Sequence, residues 1–233
     1  MPAGGCKSRL LKIMKKKILL SFSLLLSIAS FAQHITYGAA AGVTIADMRG
    51  DAVKNVAQLL DFTNGIVSTR PVSGYYGGGY TNIPVGNNLS VEPGLYYAVK
   101  GYQLSGNYSV KGIAFLSANA TSRLNISYID FPVLLKANFN GLQVFAGPQV
   151  SYLTNASLKT TAGIAGFNLL NSNKNVSNQF NRWDVAVTGG VGYQFTNGIR
   201  ITAAYDRGLS KVNAGQNIAA YNQVFKIGAG VSF

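Results

Sequence analysis

The chain has 233 residues, of which only 12% are charged, with 27 glycines, 13 tyrosines and 12 phenylalanines. An average soluble domain is about a quarter charged, so this composition argues against a helical enzyme and for short alternating strands flanked by aromatics. The formal charge of +13 suggests a basic protein only until the amino terminus is considered.

Met14 to Ala32 reads as three lysines, an apolar run from Ile18 to Leu26, and small residues ending in Ser30 and Ala32 at the −3 and −1 positions of a cleavage site. That is the pattern of a secretory signal peptide, and it is short for a membrane span; a signal anchor is the alternative. We expect residues 1–32 to be the leader, with Met14 the more natural start, and residues 33–233 to be one domain. Removal of Lys7, Arg9, Lys12, Lys15, Lys16 and Lys17 from the 20 basic residues leaves 14 against 7 acidic ones, a mature charge of +7. It also removes Cys6, which precedes the apolar run where a lipobox cysteine would follow it. Thiol chemistry and disulfides are then excluded.

No later segment holds 18 consecutive apolar residues, so helical spans are excluded. Alternation with period 2 appears instead, the mark of a strand with two different faces. Ile35, Tyr37, Ala39, Ala41, Val43 and Ile45 share the apolar parity of a first strand. Residues 47–71 form a polar stretch in which 56–62 could be a helical turn or two, and a second strand lies within 72–85, its register blurred by Gly77, Gly78 and Gly79. After a turn at Gly86-Asn87-Asn88, a third strand places Val91, Pro93, Leu95, Tyr97 and Val99 on one side. Residues 105–123 are looser, and a fourth strand within 124–139 carries Ile129, Phe131, Val133, Leu135, Ala137 and Phe139. Asn140-Gly141 predicts a type I′ hairpin.

The fifth strand sets Leu142, Val144, Ala146, Pro148, Val150 and Tyr152 outward, and a Ser/Asn/Gly-rich connection occupies 155–181. The sixth carries Trp183, Val185, Val187, Val191, Tyr193 and Phe195. Thr196-Asn197-Gly198 turns into the seventh, with Ile199, Ile201, Ala203 and Tyr205. Residues 209–221 lead to a closing strand with Phe225, Ile227, Ala229, Val231 and Phe233. Eight strands result, joined by connections that alternate long and short. A soluble sandwich needs no such asymmetry; an outer-membrane barrel has short periplasmic turns and long external loops. The fold class expected is all-β, an eight-stranded antiparallel transmembrane barrel.

The charges sort on this map. Glu92, Asp130, Asp184 and Asp206 face inward with Lys100, Lys136, Arg200 and Lys226, four against four. Every other mature charge lies in or beside the long connections: Arg49, Lys54, Arg70, Lys111, Arg123, Lys159, Lys174, Arg182, Arg207 and Lys211, against Asp47, Asp51 and Asp61. A narrow barrel is just wide enough for side chains to fill, so the inward groups are expected to form a salt-bridged plug, with a polar pathway as the alternative. Lys136 is expected to couple to Asp130, within a set that also holds Glu92 and Lys100.

The runs 91–106, 124–139 and 141–153, followed by 182–195, 203–212 and 225–233, resemble the PorT-type outer-membrane β-barrel family in the same order. The segment with Tyr128, Asp130, Pro132 and Lys136 is the most specific part, and Ala32-Gln33 at the cleavage site is typical of the family's hosts, the Bacteroidota. The resemblance implies an outer-membrane barrel and no activity. A secretion role associated with one member is not carried over.

Barrels can be enzymes, generally through a histidine base. The one histidine, His34, stands at the mature amino terminus outside any strand. Asp184 and Asp206 could make a carboxylate pair, but with Arg200 and Lys226 nearby they read better as salt-bridge partners. No Walker loop or metal-spaced His/Cys set is present. We therefore expect no catalytic, metal or cofactor-binding residues and no cofactor. The expected role is structural or interactive, with loops at the cell surface. A small diffusion porin is the alternative, and a lipid-modifying enzyme a third. The partners expected are outer-membrane lipids, the barrel-assembly machinery that reads the Phe225–Phe233 edge, and an envelope protein, with no nucleic acid.

Overall fold

A computed structural model describes residues 35–50, 67–109, 117–164, 167–212 and 220–233. The strands are β1 (Thr36–Arg49), β2 (Val67–Pro84), β3 (Leu89–Ser109), β4 (Ser117–Phe139), β5 (Leu142–Ile164), β6 (Phe167–Asn175), β7 (Trp183–Gln194), β8 (Ile199–Gly208) and β9 (Tyr221–Ser232). Each is antiparallel to its neighbours. β1 pairs with β2 on one side and β9 on the other, and β4–β5 and β5–β7 pairings complete the ring. Eight strands thus close on themselves as an antiparallel transmembrane barrel, and β6 stands outside the ring, paired to β5. Tyr37 and Phe233 exchange backbone hydrogen bonds of 3.0 and 2.8 Å across the β1–β9 seam.

The alternation has its expected consequence. Val133, Leu135, Val144, Val187, Val191, Ile201, Ile227 and Val231 are all exposed on the outside, whereas the eight inward charges are buried or nearly so. Exposed aromatics gather in two belts. Tyr75 and Tyr97, and Tyr152 and Trp183, touch at the long-loop end; Tyr193 and Phe195 touch at the short-turn end. From Trp183 to Tyr193 the strand rises by about 33 Å at ~3.3 Å per residue. A tilt of about 40° reduces this to ~25 Å, the height of an outer-membrane apolar band. The Asn140-Gly141 turn has φ of 52° and 94°, the double positive value of a type I′ hairpin.

Three expectations about the connections are corrected. Residues 155–181 are not a plain loop: β5 runs on to Ile164, and β6 pairs back from Ser157↔Asn175 to Ile164↔Phe167. Residues 105–123 likewise continue β3 and β4, paired from Ser105↔Thr121 to Ser109↔Ser117. β2 begins at Val67 rather than 72 and carries a bulge between Pro71 and Tyr76. None of the three sequences carries the sustained apolar parity that lipid imposes on the strands between the belts, which is why they read as loops. The helical turn expected at 56–62 lies outside the described residues, as do 1–32 and His34.

A second irregularity sits where the ring gives way to the free sheet. Ser127 pairs with Asn155 and Tyr128 with Leu153, leaving Thr154 as an extra residue whose hydroxyl donates to Ser127 O at 3.0 Å. Such a bulge changes which residues face in. Leu153 is buried, Thr154 and Asn155 are exposed, and Ala156 is buried again.

A closed ring of this kind resists sodium dodecyl sulfate until heated. Unboiled, detergent-folded protein is expected to migrate at a different apparent mass from boiled protein. Equal migration from a sample with a β-rich circular dichroism spectrum would contradict closure.

Candidate functional site

The inward parity of the ring brings the charges together in successive levels along the barrel axis. Nearest the short turns, Glu92 on β3 accepts through Oε2 from Arg200 Nη1 of β8 at 2.6 Å and from Lys136 Nζ of β4. The Arg200 guanidinium lies over the Tyr80 ring, 3.9 Å from its centroid. Tyr80 Oη and Ser232 Oγ are 2.8 Å apart.

The next level holds Asp130 between Lys100 Nζ at 3.0 Å and Lys226 Nζ at 3.5 Å, and Lys226 also reaches Asp206 at 2.5 Å. Thr188 Oγ1 donates to Asp206 at 2.9 Å, and Gln149 lies between Thr188, Asp206 and Lys226. Between these two levels is a cavity of about 60 Å³ bordered by Glu92, Arg200, Gln149 and Lys226 together with Tyr96, Leu134 and Phe145. That is room enough to hold water.

Above lies Asp184, 2% exposed. It accepts from Ser210 Oγ at 2.6 Å and from Asn222 Nδ2 at 2.7 Å. Ser210 Oγ also accepts the Val185 N–H at 2.7 Å, so the carboxylate holds the start of the β8–β9 connection against β7. The outer mouth is apolar. Ile126, Tyr128, Leu153 and Ala156 of β4 and β5 pack with Val212 from that connection, and Met48, Leu124, Val176 and Phe180 flank them.

The expected plug is therefore present, with three corrections to its wiring. Lys136 pairs with Glu92, not with Asp130, whose partners are Lys100 and Lys226. Arg200 reaches across the lumen to Glu92 and not to Asp206. Asp184 has hydrogen-bond donors but no cation within 4 Å among the described residues, so it is no salt-bridge partner. Asp184 and Asp206, weighed as a carboxylate pair, are held by separate partners one level apart.

Lumenal rings fit because the facing strand presents glycine. A Cβ added at Gly38 would meet the Tyr80 ring, at Gly228 the Tyr76 hydroxyl, and at Gly190 the Phe145 ring, all within 2.7 Å. This ring-on-glycine packing fills a narrow interior without leaving the barrel. Parity alone places these glycines inside; which ring each receives depends on the register.

The profile of the family described as outer membrane protein beta-barrel domain matches residues 31–213. No curated protein matches the sequence. Among solved structures, Ail, the attachment invasion locus protein of Yersinia pestis, is similar at 10% identity and a TM-score of 0.41, covering 85% of this chain and 98% of that one. Neisserial surface protein A gives 13%, 0.38, 86% and 100%, and the outer membrane protease OmpT from Escherichia coli 10%, 0.41, 87% and 97%. None of these values bears on activity or ligand. The match spans most of the chain and the strands close as the family name requires, so this chain belongs to the outer membrane protein beta-barrel domain family, and its place is the outer membrane.

Proposed function

We propose that this protein is a closed barrel of the PorT type that acts by interaction at the cell surface rather than by conduction or catalysis. The observation that carries this reading is the filled lumen. Two levels of paired charges, a hydrogen-bonded Asp184 and an apolar outer mouth follow one another along the axis, which leaves little room for a solute path. Above the membrane the strands do not stop. β2 to β6 continue as an open sheet, and β6 has no partner strand on its far side among the described residues. An unpaired strand edge is a template for another extended segment. That edge, with Asn171, Asn173 and Lys174 exposed along it, is where an envelope protein partner is expected to dock.

In this reading residues 1–32 are the export leader of a Bacteroidota protein, and the assembly machinery inserts the chain through its closing strand. The rim, with ten basic against three acidic residues by sequence, meets anionic lipid head groups. No nucleic acid and no cofactor enter, and no catalytic step is assigned.

Planar-bilayer recording tests the closed lumen. Purified protein is expected to insert without discrete conductance steps. Reproducible steps that respond to solute size would replace this reading with the diffusion porin. A photoreactive residue at 171 should crosslink to a defined protein in native envelopes, whereas one at the lipid-facing position 187 should not.

A further inference from the structure

The short-turn end of the barrel is hollow where the outer end is stoppered. A polar vestibule of about 330 Å³ opens there, walled by Asn82, Asn88, Ser90, Asn140 and Gln143, with Lys136 as its one charged lining residue among the described residues. That volume is at the lower end of the ~300–1,000 Å³ usual for small-molecule sites. In outer-membrane barrels this end faces the periplasm.

Three features of the vestibule point to a ligand. Its walls are mostly carboxamides, each offering donors and an acceptor, the complement of hydroxyl and amide groups. Gln143 is 1% exposed and donates to Gln194 at 2.7 Å, yet its own Oε1 is buried without a partner. The third feature is charge. The eight inward charges sum to zero, but they are not evenly spread along the axis. The level of Asp130 and Asp206 is balanced by Lys100 and Lys226. Behind Lys136, one carboxylate, Glu92, serves two cations, Lys136 and Arg200. The compensating negative charge is Asp184, near the opposite end. A buried excess charge is costly unless a counter-charge comes close, and Lys136, 3% exposed, is the member of this level that lines the vestibule.

From this geometry we infer that the periplasmic vestibule binds a sugar-sized carboxylate, an acidic monosaccharide bearing hydroxyl and amide groups. The carboxylate sits against Lys136, a ring hydroxyl donates to Gln143 Oε1, and the remaining polar groups meet the asparagine wall. The site is at the other end of the molecule from the β6 edge, and it stands whether or not that edge has a partner.

Isothermal titration of the detergent-folded full chain tests it, with N-acetylmuramic acid as the acidic probe and N-acetylglucosamine as its neutral counterpart. The acid is expected to bind at least about tenfold more tightly, the difference made by one charge-assisted contact. Added salt should narrow that margin. Asn82→Leu, on the wall and clear of the ion pairs, is expected to weaken both sugars by about tenfold, as the loss of a buried polar contact does. Lys136→Met, checked for folding by its heat-shifted migration, should remove the preference for the acid. Absence of binding by either sugar at millimolar concentration, equal affinity for the two, or binding untouched by Asn82→Leu would each overturn the site. The Asn82→Leu arm decides the matter even if Lys136→Met does not fold.

Discussion

Glu92→Leu is expected to be the most damaging single substitution in the lumen, lowering the unfolding free energy by at least about 3–5 kcal/mol. Its Oε2 is shared by Lys136 and Arg200, so its removal strands two like charges in a narrow interior. Lys136→Met should cost clearly less, because Arg200 keeps Glu92 paired. Adding Lys136→Met to Glu92→Leu should return part of the loss, since one stranded cation disappears and the other still rests on the Tyr80 ring, a contact worth about 2 kcal/mol when desolvated. Lys136→Met combined with Asp130→Leu, by contrast, should be additive within about 0.3–0.5 kcal/mol, because the two belong to separate pairings. Urea unfolding followed through the fluorescence of Trp183, the one tryptophan, reads these variants beside Asp130→Leu and the unsubstituted protein. Equal losses for Glu92→Leu and Lys136→Met would show that the shared oxygen does not organise this level.

The second large effect lies in the backbone. A Cβ at Gly42 would stand 2.1 Å from Ile227 O, 2.6 Å from Gly228 Cα and 2.7 Å from Tyr76 Cε1. Two of those three atoms are main chain of the paired strand β9, so no side-chain rotation relieves the clash. Overpacking usually costs about 1–3 kcal/mol; with the β1–β9 ladder itself displaced, Gly42→Ala should reach or exceed the upper figure and reduce the yield of heat-shifted, folded protein. Gly79→Ala is the control. Its added Cβ meets nothing nearer than Gly38 O at 3.5 Å, on the outside of the ring, and it should fold normally. If Gly42→Ala folds and unfolds like Gly79→Ala, close packing at the seam is not what the glycine supplies.

How far the sequence reveals this molecule depends on which solvent each segment faces. Between the aromatic belts, lipid on one side and the lumen on the other force opposite chemistries onto alternate residues. β4, β5 and β7 to β9 are therefore legible from Ile129–Phe139, Leu142–Tyr152, Trp183–Phe195, Ile199–Tyr205 and Phe225–Phe233. Beyond the belts lipid no longer dictates the chemistry of one face. β6, with Asn171, Ser172, Asn173 and Lys174, has no alternation to read and passed for loop. Parity likewise tells that Lys136 faces inward but not which carboxylate it meets. That is set by the stagger of the ring, which puts Glu92 beside it and carries Asp130 one level on, to Lys100 and Lys226. The apolar outer mouth was hidden for a different reason. Val176, Phe180 and Val212 are single hydrophobes in polar connections, and only folding shows that they converge.

Thr154 marks a boundary of another kind. Within the ring, gaining or losing one residue would exchange every lipid-facing side chain of a strand for a lumenal one and put charges such as Asp130 or Lys226 into hydrocarbon. At Thr154 β5 takes up one extra residue and restores its inward row at Ala156 without harm, because the free sheet begins there. Length variation is therefore forbidden on the membrane side of that residue and tolerated on the other. The ring can remain fixed while the surface hairpins lengthen, shorten or change sequence, so the external face is free to diversify on an invariant base.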